Sequence, residues 1–457
     1  MKFQAIARVI GQKNRFRTIC GSTVRVIRLN NAATTPPFVE TCSAVNRFLK
    51  TYGALHRGAG PNANKTVNEV NQSVRIIRSF VNASKDQSVL FTQNTSEAIN
   101  LLARLFRLNK KDVILTSSVE HTSNNLPWRY NTPAKIVSVH SFPDGSLDLR
   151  DFEKKAIRFR KKLRIVAITG ASNQTGYIPN IPKISKITHQ NNGLLFIDAA
   201  QLAPHRPINM KRDGIDALAF SGHKLYAPFG TGVLVLPQKL LDSVPVNPGG
   251  GSIDMISTHG IIWSAPAVRH QTGTWNATGI IALGASCRII RKIGWKKIMK
   301  HERQLLNYTL QQLQKIPEVT LYVSPEKYLL ENRVATIPFN LKGFHHAKLS
   351  AILDHEYGIE TRAGTICNHQ LVRKWFQVSN KTQKEIEKKI RKKNRLASYG
   401  IVRISIGLHN SFSDMRKLIR AIKKVNQNGS ALKYKPDPLD ETFVPDQRQV
   451  PSFHDAK

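Results

Sequence analysis

Cysteine is scarce in this chain, and acid is scarcer than base. Among 457 residues only Cys20, Cys42, Cys287 and Cys367 occur, far apart and without a Cys-x-x-Cys pair. Neither a disulfide framework nor a cysteine-rich zinc site is indicated, no metal site is expected, and a reducing compartment, the cytoplasm, is the expectation. No uncharged apolar run approaches the ~20 residues of a membrane span, so no membrane association is expected. Acid is missing from the start: none precedes Glu40, while the first 28 residues carry Lys2, Arg8, Lys13, Arg15, Arg17, Arg25 and Arg28. An Arg-rich, acid-free start has the look of an organellar transit peptide, but this one is poor in serine. Arg8 interrupts its only apolar stretch, which excludes a secretory signal. Residues 1–28 are therefore expected to be a basic leader ahead of the domains, with organellar targeting left open. Internal repeats and low-complexity tracts are also absent.

What is present is length, apolar content and positive charge. With 41% hydrophobic residues the chain can bury a large two-domain core. Lys and Arg number 69 against 30 Asp and Glu, a net charge of +39. Such a surplus attracts polyanions without specifying one. No zinc, helix-turn-helix or RNA-recognition signature accompanies it, so nucleic acid is not the expected partner. A nucleic-acid-binding protein that keeps an enzyme's fold is the reading the charge alone motivates. A milder version is a basic surface that recruits an acidic protein.

Between residues 89 and 236, short β-branched runs alternate with amphipathic segments of helical length. Strands are expected at Val89–Thr92, Val113–Leu115, Ile136–Val139, Ile165–Thr169, Leu194–Asp198, Ala217–Phe220 and Gly232–Leu236. Helices are expected at Ser96–Phe106, Leu149–Lys162 and Ile181–Gln190. This is the signature of an α/β fold with a mostly parallel sheet covered on both faces. One or two long helices (276–315) lead to a smaller α+β unit. There, strands are expected near Val334–Pro338 and Val402–Ser405, and helices near Ala347–Tyr357 and Ser411–Asn426. The Lys/Arg-rich segment 381–395 has too few apolar positions for a buried helix and reads as a solvated insertion. The expected organisation is a leader (1–28), a large domain (29–295), a small domain (296–428) and an irregular tail (429–457).

Ligands of such sheets bind beyond the carboxyl ends of the strands, and three residue clusters fall there. Asp198-Ala199-Ala200-Gln201 ends one strand and Ser221-Gly222-His223-Lys224 another. Thr95-Ser96-Glu97 opens a helix. Each has a plain structural reading: a helix cap, a paired lysine, an N-cap. Together they bring a lysine amine, a carboxylate and a phosphate cradle to one sheet. Those are the three handles of pyridoxal phosphate: aldehyde, ring nitrogen and phosphate. Glu120-His121-Thr122-Ser123-Asn124 adds an imidazole able to lie on the ring.

The chain resembles the class V aminotransferases, and within them the cysteine desulfurase and selenocysteine lyase group. The resemblance runs from Leu29-Asn30-Asn31-Ala32-Ala33-Thr34-Thr35, with Asn30 where the family has Asp, to Asn426. It is carried by His56-Arg57-Gly58, the clusters above, Ser172-Asn173-Gln174-Thr175-Gly176, Gly249-Gly250-Gly251, Gly273-Thr274-Trp275-Asn276, Arg362-Ala363-Gly364-Thr365-Ile366-Cys367 and Val402-Arg403-Ile404-Ser405. It implies the pyridoxal-phosphate-dependent transferase fold type I, a seven-stranded-type sheet in the large domain and a homodimer with shared active sites.

The resemblance also implies roles. Lys224 is the Schiff-base lysine and proton shuttle, His121 stacks on the ring, Asp198 partners the ring nitrogen and Gln201 the phenolic oxygen. Thr95, Ser96, Ser221 and His223 hold the phosphate, with Thr274 supplied by the other subunit. Asn173 lies beside cofactor and substrate, Arg403 clamps the substrate carboxylate and His56 joins the substrate side. Cys367 coincides with the family's persulfide cysteine, for which Arg362 and His369 supply positive surroundings. The implied activity converts L-cysteine or selenocysteine to alanine with sulfur passed to Cys367 and onward to an acceptor protein. The alternative is another class V aminotransferase, epimerase or lyase in which Cys367 is a bystander. After Cys367 the sequence runs Asn368-His369-Gln370 without the proline common in the family, so a loosened loop is expected.

Overall fold

A computed structural model describes residues 4–18, 20–55 and 57–446. The large sheet comprises β1 (Gln87–Thr92), β2 (Val113–Ser117), β3 (Lys135–Val139), β4 (Leu163–Thr169), β5 (Leu194–Asp198), β6 (Ala217–Ser221) and β7 (Gly232–Pro237). Their order across the sheet is β1-β7-β6-β5-β4-β2-β3. Only β7 runs antiparallel to its neighbours β1 and β6. The apolar runs split by parity, as alternating side chains must. Leu195 and Ile197 enter one core and Phe196 the other, and Leu218 and Phe220 are likewise separated from Ala217 and Ala219. Each fully buried Phe or Ile contributes on the order of 1.5–3 kcal/mol.

The first core is closed by helices that include α1 (Pro61–Phe80) and α3 (Ala277–Ile293), the second by α2 (Thr95–Leu105). Gly294, at φ 87°, breaks the expected long segment, and α4 (Trp295–Leu313) leads into a second body. That body holds a four-stranded antiparallel sheet of β8 (Val319–Leu321), β9 (Thr336–Leu341), β10 (Arg362–Gly364) and β11 (Ile401–Ser405), in the order β8-β9-β11-β10. Helices α4, α5 (His346–Tyr357) and α8 (Phe412–Asn428) pack against it around a core of its own, which also takes in Ile27 and Leu29. On these two cores we propose the division into 29–295 and 296–428.

Between β10 and β11 lie α6 (His369–Trp375) and α7 (Asn380–Arg391). The latter buries no residue and is the expected solvated insertion.

Two segments differ from expectation. The described part of 1–28 is not a leader ahead of the domains. Ile6 and Ala7 donate to the Leu408 carbonyl at 3.0 and 3.2 Å, Arg15–Arg17 pairs with Thr23–Arg25, and Ile27–Arg28 runs parallel to Ile359–Glu360. Nor is the tail irregular through 446. Tyr434–Asp437 and Thr442–Pro445 form an antiparallel hairpin, with Phe443 against His345 and the Tyr434 hydroxyl donating to Glu356. Residues 447–457 lie outside the described ones.

Candidate active site

The carboxyl ends of the parallel strands face the small sheet across a cavity of about 530 Å³. Lys224, Asp198, Gln201, His121, Asn173, Thr95, Ser96, Ser221, His223, Cys367 and Arg403 all line it. Of the expected site residues, Thr274 is exposed and does not line this cavity, and His56 lies outside the described residues.

At the phosphate end, Asn94 caps α2 by accepting from the Glu97 N–H at 3.0 Å. The Thr95 N–H donates to Ser221 Oγ at 2.7 Å, and the Thr95 and Ser221 hydroxyls lie 2.6 Å apart. Ser96 Oγ is 2.6 Å from Ser123 Oγ, a hydroxyl that motif reading passed over. This loop can lie flat on β7 because Gly232 has no side chain: a Cβ there would come within 2.5 Å of the Asn94 backbone. Hydroxyls and N–H groups at a helix N-terminus are the donor set a phosphate requires.

Asp198 ends β5, buried, and accepts the Ala200 N–H at 3.0 Å. Burial raises its pKa, against the pull of the Ala200 N–H and Lys224. Lys224 closes the turn after β6. Burial lowers its pKa, Asp198 opposes that shift and Arg403 reinforces it. A desolvated amine beside another cation is the nucleophilic form. His121 accepts the Ser123 N–H on Nδ1 at 3.1 Å, which fixes any ring proton on Nε2. Its pKa is pushed down to about 3 by burial and by the charges of Lys224 and Arg403, so the ring is neutral. His223 is lowered to about 4 by burial and Lys224. Gln201 donates to the Ala32 carbonyl.

Behind His121, Glu120 is buried and accepts from the Ser117 hydroxyl and from Asn124 Nδ2 at 2.6 Å. Burial raises its pKa to about 8 despite these bonds.

Opposite, Arg403 sits in the centre of the small sheet, 1% exposed. Its guanidinium donates to the Asn173 carbonyl at 2.9 Å and to Asn30 Oδ1 at 3.1 Å, and Nε has no partner. Its cross-strand neighbour in the register is Arg362. Two like charges directly opposite are destabilising, and burial together with Arg362 disfavours the cationic form of Arg403. The arrangement is built for an anion. Asn30, a departure from the family motif, therefore supplies a neutral acceptor to the buried guanidinium.

The Cys367 loop is not loosened, contrary to expectation. Gln174 Nε2 donates to the Thr365 carbonyl at 2.6 Å and Asn173 Nδ2 to that of Ile366 at 3.0 Å. The Thr122 N–H donates to the Cys367 carbonyl at 3.1 Å, and Asn368 Nδ2 donates to Val119 at 2.7 Å. Asn368 also caps α6 through the Leu371 N–H at 3.2 Å. Side chains thus do what the missing proline does not. They hold Ile366 and Cys367 at φ 48° and 60°, left-handed conformations that cost non-glycine residues energy. Cys367 and Cys20 are exposed, Cys42 is partly buried and Cys287 is buried.

The residues fit pyridoxal phosphate: a hydroxyl-rich helix start for the phosphate, a depressed amine, a buried carboxylate and a neutral imidazole share one cavity. Among the described residues no cluster of three His, Cys, Asp or Glu suits a metal ion, and no helix is long and apolar enough to cross a membrane.

The comparisons agree with this geometry. The family model "Aminotransferase class-V" matches residues 27–418. A probable cysteine desulfurase of Halalkalibacterium halodurans is 30% identical over 410 residues, covering 88% of this chain and 93% of that one. Among solved structures, the apo cysteine desulfurase of Thermococcus onnurineus superposes with a TM-score of 0.77 at 29% identity, over 88% of this chain and 95% of that one. The cysteine desulfurase CsdA of Escherichia coli gives 0.75 at 26% identity, with the same coverage. None of these three favours the alternative in which Cys367 is a bystander. The chain belongs to the class V aminotransferase family and is a pyridoxal-phosphate-dependent enzyme of fold type I.

Proposed function

We propose that this enzyme is a cysteine desulfurase that takes L-cysteine, or its selenium analogue, to L-alanine and leaves the released sulfur on Cys367 as a persulfide. The observation that carries the reading is the docked Cys367 loop opening into the same cavity as Lys224, Asp198 and Arg403. Pyridoxal phosphate, when bound, supplies the electron sink that makes the substrate α-proton removable. Thr95, Ser96, Ser221 and His223 would hold its phosphate, with Thr274 of a second subunit. Asp198 would keep its ring nitrogen protonated, Gln201 would reach its phenolic oxygen and neutral His121 would cover its face.

Lys224 would hold the aldehyde and then carry the proton on Nζ, which its depressed pKa suits. Arg403 takes the substrate carboxylate, for which a two-pronged guanidinium is the best partner, with Asn173 beside it. The Cys367 thiolate attacks the substrate sulfur. The substrate Cβ–Sγ bond breaks, an S–S bond forms on Cys367, and protons returned to the carbon skeleton yield alanine. Cysteine plus thiol gives alanine plus persulfide, so no outside oxidant is needed.

A homodimer completes the site in this reading. The hairpin Ile253–Ser257 and Gly260–Trp263 exposes Met255, Ile256, Ile261 and Ile262 at 48–70%. An apolar patch of this kind favours burial against a second copy, and exposed Thr274 would then serve the neighbouring cavity. A monomer by sedimentation at micromolar concentration would overturn the dimer.

The test of the activity is alanine and sulfide production from L-cysteine with a reductant. Cys367→Ser is expected to stop it while the protein stays yellow. Full turnover by that variant would assign the sulfur step elsewhere.

A further inference from the structure

The insertion between the Cys367 loop and the Arg403 strand is the least explained part of the fold. Helix α7 buries none of its twelve residues. Ordering them costs about 1–2 kcal/mol per residue in backbone entropy, and no core contact offsets it. Across 380–395 the chain has eight Lys or Arg against Glu385 and Glu387.

The helix is nonetheless tied to the Cys367 loop. Helix α6 begins two residues after Cys367 and is about 10 Å long at 1.5 Å per residue. At its far end Arg373 donates to Asn380 Oδ1 at 2.6 Å and to the Val378 carbonyl at 3.2 Å. Trp375 stacks on Tyr322 at 4.8 Å, and the Tyr399 hydroxyl donates to Gln383 Oε1 at 3.0 Å. Ser379 caps the helix at Thr382. Contacts hold the basic rod at the far end of the helix that follows the reactive thiol.

We propose that helix α7 is a docking surface for an acidic protein segment that presents a thiol to the Cys367 persulfide. This rests on the desulfurase reading above. Lysine dominates the surface, two glutamates interrupt it, and partly exposed Ile390 offers an apolar contact. Single-stranded nucleic acid is held by stacking aromatics as well as by basic charge, and residues 380–395 contain no aromatic. Charge complementarity of this kind speeds encounter more than it adds affinity. In the transfer, the acceptor thiolate attacks the outer sulfur of the persulfide. The Cys367–sulfur bond breaks, a new S–S bond forms on the acceptor and Cys367 leaves as thiolate. The hydrogen on the transferred sulfur moves with it, and the exchange needs no net redox agent.

The test uses two labelled peptides that each carry one cysteine, one flanked by eight glutamates and the other by eight glutamines. The pyridoxal-phosphate-loaded full chain is compared with the variant Lys384→Gln/Lys388→Gln/Lys389→Gln/Lys392→Gln and with its Glu counterpart. Glutamine keeps helix propensity, so circular dichroism confirms the fold. Binding is followed by fluorescence anisotropy, transfer by mass spectrometry, and alanine formation separately. At low salt the wild type is expected to bind and sulfurate the acidic peptide about tenfold better than the neutral one. The preference should vanish in the Gln variant, invert in the Glu variant and disappear in 0.5 M salt, with alanine formation unchanged in both variants. Equal treatment of the two peptides by the wild type, with alanine formation intact, overturns the docking proposal. Binding of a single-stranded RNA 20-mer that is lost in the variants, with no peptide preference, overturns it in favour of nucleic acid. Peptide preference without alanine formation would remove the desulfurase reading and leave the docking surface standing.

Discussion

Truncating Asn368 separates holding the reactive thiol from binding the substrate. Its side chain makes two bonds, Nδ2 to the buried Val119 carbonyl at 2.7 Å and Oδ1 from the Leu371 N–H at 3.2 Å. Asn368→Ala strands the carbonyl, at about 1–3 kcal/mol, and uncaps α6, at about 1 kcal/mol. The adjoining Ile366 and Cys367 hold left-handed backbone that costs about 1–3 kcal/mol each when a residue other than glycine adopts it. Losing about 2–4 kcal/mol of anchoring therefore lets that strain relax and takes Cys367 out of the cavity. At 1.4 kcal/mol per decade the docking equilibrium constant falls by about 30- to 700-fold, which is the largest fall the docked fraction can show. Rapid-quench measurement of alanine in a single turnover should show a fall in rate of that order. KM for cysteine and the cofactor absorbance should hold, since Arg403, Lys224 and Asp198 are untouched. Asn368→Ser, which keeps a cap and loses the Val119 bond, should fall between. A single-turnover rate within twofold of wild type for Asn368→Ala would refute the claim that side-chain anchors hold the thiol in place.

Three further outcomes follow from the same structure. Arg403→Lys should raise KM for cysteine at least about tenfold while the protein keeps its colour, because one ammonium cannot pair with a carboxylate bidentately; an unchanged KM in steady-state assays would remove the carboxylate from Arg403. Buried His346 and His409 have pKa values lowered to about 4 and about 3 by burial first, so the unfolded chain binds more protons below about pH 6.5. Stability is then complete above that pH and declines as pH falls, by up to about 2 kcal/mol per histidine at pH 5; a denaturation midpoint equal at pH 5 and 7.5 would contradict this. Glu120, raised to about 8, acts in the opposite direction, its burial costing more as pH climbs from about 4.5 to about 8. Glu120→Gln should accordingly gain up to about 4 kcal/mol over wild type at pH 9 and little at pH 5, measured by denaturant melts.

Legibility followed the range of the interactions. The strand Leu194–Asp198 and the helix Ile181–Gln190 lie where their apolar period and flanking residues put them. Strand ends carrying Asp198, Ser221 and Lys224 were visible for the same reason. The reversed direction of Gly232–Pro237 was not, because an apolar run looks alike from either end. Pairings of high sequence separation also escaped: Ile27–Arg28 against Ile359–Glu360, and Asn173, Gln174 and Thr122 converging on 365–367. The C-terminal hairpin, with Pro436 in one strand and Asp437–Asp440 at its turn, has little of the alternation that marks a strand. The proline missing after Cys367 pointed to a looser loop, since local sequence does not reveal the distant amides that replace it.

The charges of the cavity divide the labour between its two arginines. Lys224, Arg362 and Arg403 face one buried carboxylate at Asp198, because Glu120 is neutral up to about pH 8. A phosphate at the α2 end and a substrate carboxylate at the small-sheet end each neutralise part of that surplus. Arg403, buried with an unpaired Nε, gains most from a carboxylate, since its own hydrogen bonds go only to neutral oxygens. Arg362, exposed at the edge strand leading to the Cys367 loop, stays hydrated and is left for a second anion. A carboxylate seated on Arg403 cancels the field that Cys367 feels from that side and leaves Arg362 as the second guanidinium lining the cavity. Replacing Arg362 should therefore slow sulfur capture with little effect on cysteine binding, whereas replacing Arg403 should weaken binding first.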